Sequence, residues 1–110
     1  MANTFISKTK SNVGTAGDTI YTVPVSTTSV IIGFNLTNTT SSAITADVFI
    51  NKSDVSADDV YLVKDIEIPT GTLYDFNAGN KIILNTGDLV TVTSSANSSV
   101  DVILSILEQT

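Results

Sequence analysis

The stretch Thr28-Ser29-Val30-Ile31-Ile32-Gly33-Phe34-Asn35-Leu36-Thr37-Asn38 carries the clearest two-residue period in the chain. Val30, Ile32, Phe34 and Leu36 fall on one side of an extended backbone; Ile31, Gly33, Asn35 and Thr37 fall on the other. Successive side chains of a strand point to opposite faces, so this spacing predicts a half-buried β-strand over 29–38. The period returns in 43–51, where Ile44, Ala46, Val48 and Ile50 alternate with Thr45, Asp47, Phe49 and Asn51. It returns again in 99–107, where Val100, Val102, Leu104 and Ile106 alternate with Asp101, Ile103, Ser105 and Leu107. Only four residues link the first two of these strands, so an antiparallel hairpin is their expected pairing.

Outward from these three, strands are expected at about 4–8, 19–24, 59–65, 72–76, 81–85 and 88–94. Turn signals separate them: Val13–Asp18, Thr39–Ser42, Asn51–Asp54, Pro69–Gly71, Asn77-Ala78-Gly79-Asn80, Asn85–Asp88 and Ser95–Ser98. Asn, Asp and Gly tolerate the left-handed backbone of tight turns. Ser56-Ala57-Asp58-Asp59 has the spacing of a capping box that could open a helix. The β-branched and aromatic run Val60-Tyr61-Leu62-Val63, closed by Pro69, favours a strand instead. The expected fold is all-β: a single antiparallel β-sandwich of about seven to nine strands, jelly-roll or immunoglobulin-like. It would span 19–110, with 1–18 as an N-terminal arm. Val30, Ile32, Phe34, Leu36, Val48, Val90, Val92, Val102 and Leu104 are the expected core.

Composition supports the same class. Seventeen Thr and thirteen Ser stand beside twelve Val and twelve Ile, against seven Leu and two Glu. β-Branched side chains are stiff at χ1 and suit a pleated surface. A chain of 110 residues fits one domain. It has no Cys, His, Arg or Trp. That removes disulfides, thiolate metal sites, cysteine nucleophiles, imidazole bases and His-ligated zinc. A net charge of −6 is the wrong sign for nucleic acid. No apolar run approaches the length of a membrane span, and the beginning, MANTFISK, lacks the apolar stretch of a secretory signal. A soluble protein made inside a cell, without cofactor, is the expectation.

The possible chemical sites are thin. Asn51–Asp59 gathers three carboxylates, but the EF-hand pattern and its closing Glu are missing, so a solvated acidic loop is the better reading. Asp65 and Glu67 would share one strand face. Paired carboxylates can hydrolyse glycosides, yet here they read as a solvent-facing edge. Gly14-Thr15-Ala16-Gly17 lacks the spacing and the lysine of a phosphate loop and reads as a turn. Four Asn-x-Ser/Thr matches arise by chance among so many hydroxyl residues.

Apolar residues on outward positions carry more. Ile31, Phe49, Ile103 and Leu107 would sit opposite the better-filled faces, and a patch of such residues calls for a partner. The arm adds Phe5 and Ile6, followed by Lys8 and Lys10. These eight residues are the candidate subunit interface: the apolar pair buried on a neighbour, the lysines at the rim. The simpler reading of the arm is an ordinary first strand paired in its own sandwich. A homo-oligomer, a trimer by preference, follows from the apolar surplus.

The frame Asp18–Val25, Thr28–Asn38 and Ile44–Val48 resembles small virion structural proteins of tailed bacteriophages, cyanophages in particular. So do Tyr61–Asp65, Ile68–Gly71, Lys81–Leu84, Gly87-Asp88 and Ser99–Ser105. The likeness covers about 18–108 and rests on strand-and-turn texture. It implies a non-enzymatic assembly part of the virion with phage capsid or tail proteins as partners, and no catalytic residues to carry over. A capsid decoration (cement) protein leads; a neck, tail or fibre-adaptor part is the alternative. A carbohydrate-binding attachment module is the rival from another class, weakened by the lack of Trp.

Overall fold

The computed structural model describes residues 3–75 and 81–110. The described residues form nine strands: β1 (Asn3–Val13), β2 (Asp18–Thr22), β3 (Thr28–Asn38), β4 (Ile44–Asn51), β5 (Val60–Ile68), β6 (Leu73–Asp75), β7 (Ile82–Leu84), β8 (Leu89–Ser94) and β9 (Val100–Gln109). Each expected strand is present, β5 included. The turn signal Asn77-Ala78-Gly79-Asn80, and Phe76 at the end of the expected 72–76 strand, lie outside the described residues. The described residues contain no helix, and so none long and apolar enough to cross a membrane.

Two sheets pack face to face. The first runs β1-β9-β3-β6, with β7 also on β3; the second runs β2-β8-β4-β5. Every pairing is antiparallel. β6 pairs with Asn35–Thr37 and β7 with Ser29–Ile31, so the two short strands occupy successive stretches of β3 and fill one strand's place. With them counted as one, eight strands form two four-stranded sheets, and the chain crosses between sheets at nearly every connection. That is the double-sheet arrangement of a jelly roll.

The core lies between the sheets. Phe34, Leu36, Val48, Val90, Val92, Val102 and Leu104 are buried as expected, joined by Ile31, Ile68, Leu84, Val100 and Ile106. Burying a side chain of this size contributes about 1.5–3 kcal/mol.

Three expectations are corrected. First, 29–38 and 43–51 do not form a hairpin: β3 belongs to the first sheet and β4 to the second. The four-residue link is a corner built on Asn38, whose side chain is buried. Its amide donates to the Ser42 carbonyl at 2.8 Å and to that of Ile68 at 2.9 Å. Its oxygen accepts the Thr40 N–H at 2.8 Å. These bonds turn the chain across the sandwich instead of back along the same sheet.

Second, Val30 and Ile32 are not core, whereas Ile31 is fully buried. The register of β3 on β9 shifts between Ile31 and Gly33. Ile32 is the extra residue of this bulge and is 39% exposed. Before it, Ser29 and Ile31 face inward; after it, Phe34, Leu36 and Asn38 do. A one-residue shift of phase moves every side chain to the other face.

Third, the segment expected as an arm is β1, paired with β9 from Asn3↔Gln109 to Val13↔Val100 within the same chain. The simpler reading of 1–18 describes what is seen. The turn to β2 closes with the Gly17 N–H on the Gly14 carbonyl at 3.3 Å. Gly17 has φ +78°, and a Cβ there would lie 2.8 Å from the Thr93 hydroxyl, so only glycine fits.

Candidate interaction faces

Residues directly opposite in adjacent strands share a sheet face. On β9 the outward positions are Asp101, Ile103, Ser105 and Leu107. Register then carries the outer face of the first sheet across its strands. Phe5 lies opposite Leu107, Leu107 opposite Val30, and Val30 opposite Ile83. Four apolar side chains thus form one row across β1, β9, β3 and β7. Phe5 is 73% exposed and Ile83 63%. The next row is Ser7, Ser105 and Gly33, small residues that leave a furrow beside the apolar ridge. Beyond it stand Thr9, Ile103 and Asn35. A shallow depression follows, lined by Thr9, Lys10, Thr37, Asp101 and Ile103.

The structure brings three of the eight candidate residues onto this face: Phe5, Leu107 and Ile103. Ile6 lies opposite Ile106 and packs half-buried against the core. Lys8 and Lys10 lie opposite the inward residues Leu104 and Val102, yet both are exposed at the end of the sheet. Ile31 is fully buried and cannot meet a partner. Phe49 is on the other sheet. It packs on Tyr61 with ring centroids 4.7 Å apart, and the Lys64 ammonium sits 5.1 Å above the Tyr61 ring. That ammonium covers a face on which a sugar would stack. Val30 and Ile83 are the members of the row that sequence reasoning missed. The signal was in the runs Val30-Ile31-Ile32 and Ile82-Ile83, apolar at both phases of the period.

Two buried polar clusters are used internally. Asp88 is fully buried; its carboxylate takes the Lys52 ammonium, the Ser53 N–H at 2.9 Å and the Asn85 N–H at 2.9 Å. Burial opposes ionisation of Asp88, but the Lys52 ammonium and the two amides outweigh it and hold the carboxyl below its usual range. Tyr21 donates its hydroxyl to Glu108 at 2.5 Å and, its proton committed, accepts from Ser29 at 2.7 Å. Burial first, then the Glu108 carboxylate, push the Tyr21 phenol up to about 12.

The acidic loop also serves itself. Asp54 accepts from the Ser56 amide at 2.9 Å, which holds its carboxyl below the usual range, and Asp59 accepts from the Lys52 amide at 2.7 Å. Asp65 has left-handed backbone at a bulge, and its N–H bonds Asp47 at 2.6 Å. Among the described residues no group of three or more Asp or Glu is arranged to hold a metal.

No protein-family model matches the chain, and no curated protein is similar to it in sequence. One solved structure is similar in fold, a Bacillus endospore appendage from a family of disulfide-linked pili. It superposes with a TM-score of 0.57 at 15% identity, over 99% of this chain and 87% of that one. The likeness is one of fold.

Proposed function

We propose that the protein is a non-enzymatic structural subunit whose work is assembly. The observation that carries this reading is the apolar row Phe5–Leu107–Val30–Ile83, which spans the outer face of one sheet and is left open to solvent at both ends. An exposed apolar patch of this kind marks a contact surface. The sequence resemblance to tailed-phage virion proteins gives the particular role: a decoration protein that lays this face on the capsid shell, with further copies and shell proteins as its partners. Binding only to the assembled shell would stabilise it by mass action.

A second reading, a subunit of an extended appendage, is favoured by the fold shared with the endospore pilus protein over nearly the whole chain. That neighbour belongs to a disulfide-linked family; this chain has no Cys, so its own contacts would be non-covalent. The test is to count copies by mass spectrometry in particles purified from the culture that makes the protein. Hundreds per particle support decoration, and a few to a few dozen a neck or tail part. Recovery in filaments supports the appendage. Recovery only in the particle-free fraction overturns all of these.

A further inference from the structure

The sandwich has two flanks of opposite charge. β1 and β2, joined by the turn at 14–17, stand at one end of the two sheets; β5 and β6, joined through 69–72, stand at the other. Among the described residues β1 pairs only with β9, and β5 only with β4, so each leaves one edge of its backbone unpaired. Asn3–Val13 carries Lys8 and Lys10 and no acid, a net +2. The span 58–68 carries Asp58, Asp59, Asp65 and Glu67 against Lys64, a net −3. Lys64 is engaged at home, 3.6 Å from Asp47 and 3.7 Å from Asp65.

We propose that copies of this chain join head to tail, the free edge of β1 in one copy laid along the free edge of β5 in the next. The inference rests on the reading of the chain as an assembly subunit and names its self-contact. A two-fold contact would set β1 against β1 or β5 against β5, with like charges opposed, which is unfavourable. The mixed contact alone sets Lys8 and Lys10 against carboxylates. It also gives partners to the unpaired N–H and C=O groups of both edges. On β5 two bulges, at Leu62 and at Asp65, interrupt the edge and leave Val60–Tyr61 and 66–68 in regular register, the first stretch flanked by Asp58 and Asp59 and the second carrying Glu67. Val60 and Tyr61, each about half exposed, supply apolar contact in the first. A head-to-tail contact closes into a ring where its rotation allows and otherwise continues as a filament.

The test uses two charge-reversed proteins, K8E/K10E and D58K/E67K. All four side chains are exposed, and thermal melts of each variant check that the fold is kept. Sedimentation of the purified wild type at low salt shows oligomers that loosen in molar salt, where the screening length falls to about 3 Å. Each variant alone associates at least about tenfold more weakly. Mixed in equal amounts, the two recover association, because one now has two acidic flanks and the other two basic ones. A third variant, F5S/I83S, keeps self-association while losing attachment to particles. The proposal is overturned by a wild type that stays monomeric at millimolar concentration, by undiminished association of K8E/K10E, or by a mixture that does not recover. Should F5S/I83S dissolve the oligomer while the charge variants do not, the sheet face is the self-contact. The head-to-tail contact then falls and the assembly reading stands.

Discussion

Asp88 shows how one residue locks two turns. Its buried carboxylate collects the Lys52 ammonium and amides from both the 51–54 and 85–88 turns. Removing one partner of a buried pair strands the other, so Asp88→Asn should lower stability by about 3 kcal/mol in denaturant melts. Lys52→Met in the same protein should recover part of it. The folded pKa of Asp88 is depressed. Its contribution is therefore full above the ordinary aspartate value, about 3.9, and fades as pH falls through the folded value. The gap between wild-type and Asp88→Asn melting temperatures should close on that acid side. Tyr21 works in the opposite sense. Its pKa is raised to about 12, so its contribution is full below the ordinary tyrosine value, about 10, and is lost as pH rises through the folded one. Tyr21→Phe should cost about 1–3 kcal/mol near neutrality. Its melting temperature should converge with wild type only in strong alkali.

At the scale of elements, strands were legible and their partners were not. Strict alternation marks β4, β8 and β9 because each keeps one phase throughout. β3 changes phase inside Val30-Ile31-Ile32, where either phase is apolar, so the pattern hid the bulge and inverted two faces. Phe34→Ala should cost about 3–5 kcal/mol, whereas Ile32→Ala, at a 39% exposed bulge, should cost under about 1 kcal/mol. Equal losses in the two would contradict the shifted register. The mistaken hairpin has a different cause: link length cannot tell a turn within a sheet from a corner between sheets. A buried Asn after an apolar strand was the available clue. For the candidate face, Ile103 and Leu107 were legible from the period, and Phe5 from the apolar pair it makes with Ile6 ahead of two lysines. Phe49 was assigned beside them because alternation says which side of a strand a residue takes, not which sheet the strand joins. Deleting residues 1–10 strips most of β1 from β9 and uncovers a new edge. The truncated chain should melt lower and precipitate on heating, by light scattering; an unchanged melt would restore the idea of a detachable arm.

For the whole molecule, nearly every pairing joins distant parts of the chain, since among the described strands only β4 and β5 are both sequence neighbours and ladder partners. Such topologies refold in milliseconds to seconds, so stopped-flow fluorescence should show refolding on that scale, not in microseconds. The place of β9 sharpens this. It lies between β1 and β3, so β1 has no ladder partner, and β3 has only the short β6 and β7, until β9 has been made. During synthesis the ribosome therefore carries β1 as an unmated ribbon, and the first sheet closes only after β9 clears the exit tunnel. A chain arrested before residue 100 should be protease-sensitive throughout β1. One arrested far enough beyond Thr110 to expose β9 should be resistant at both ends at once.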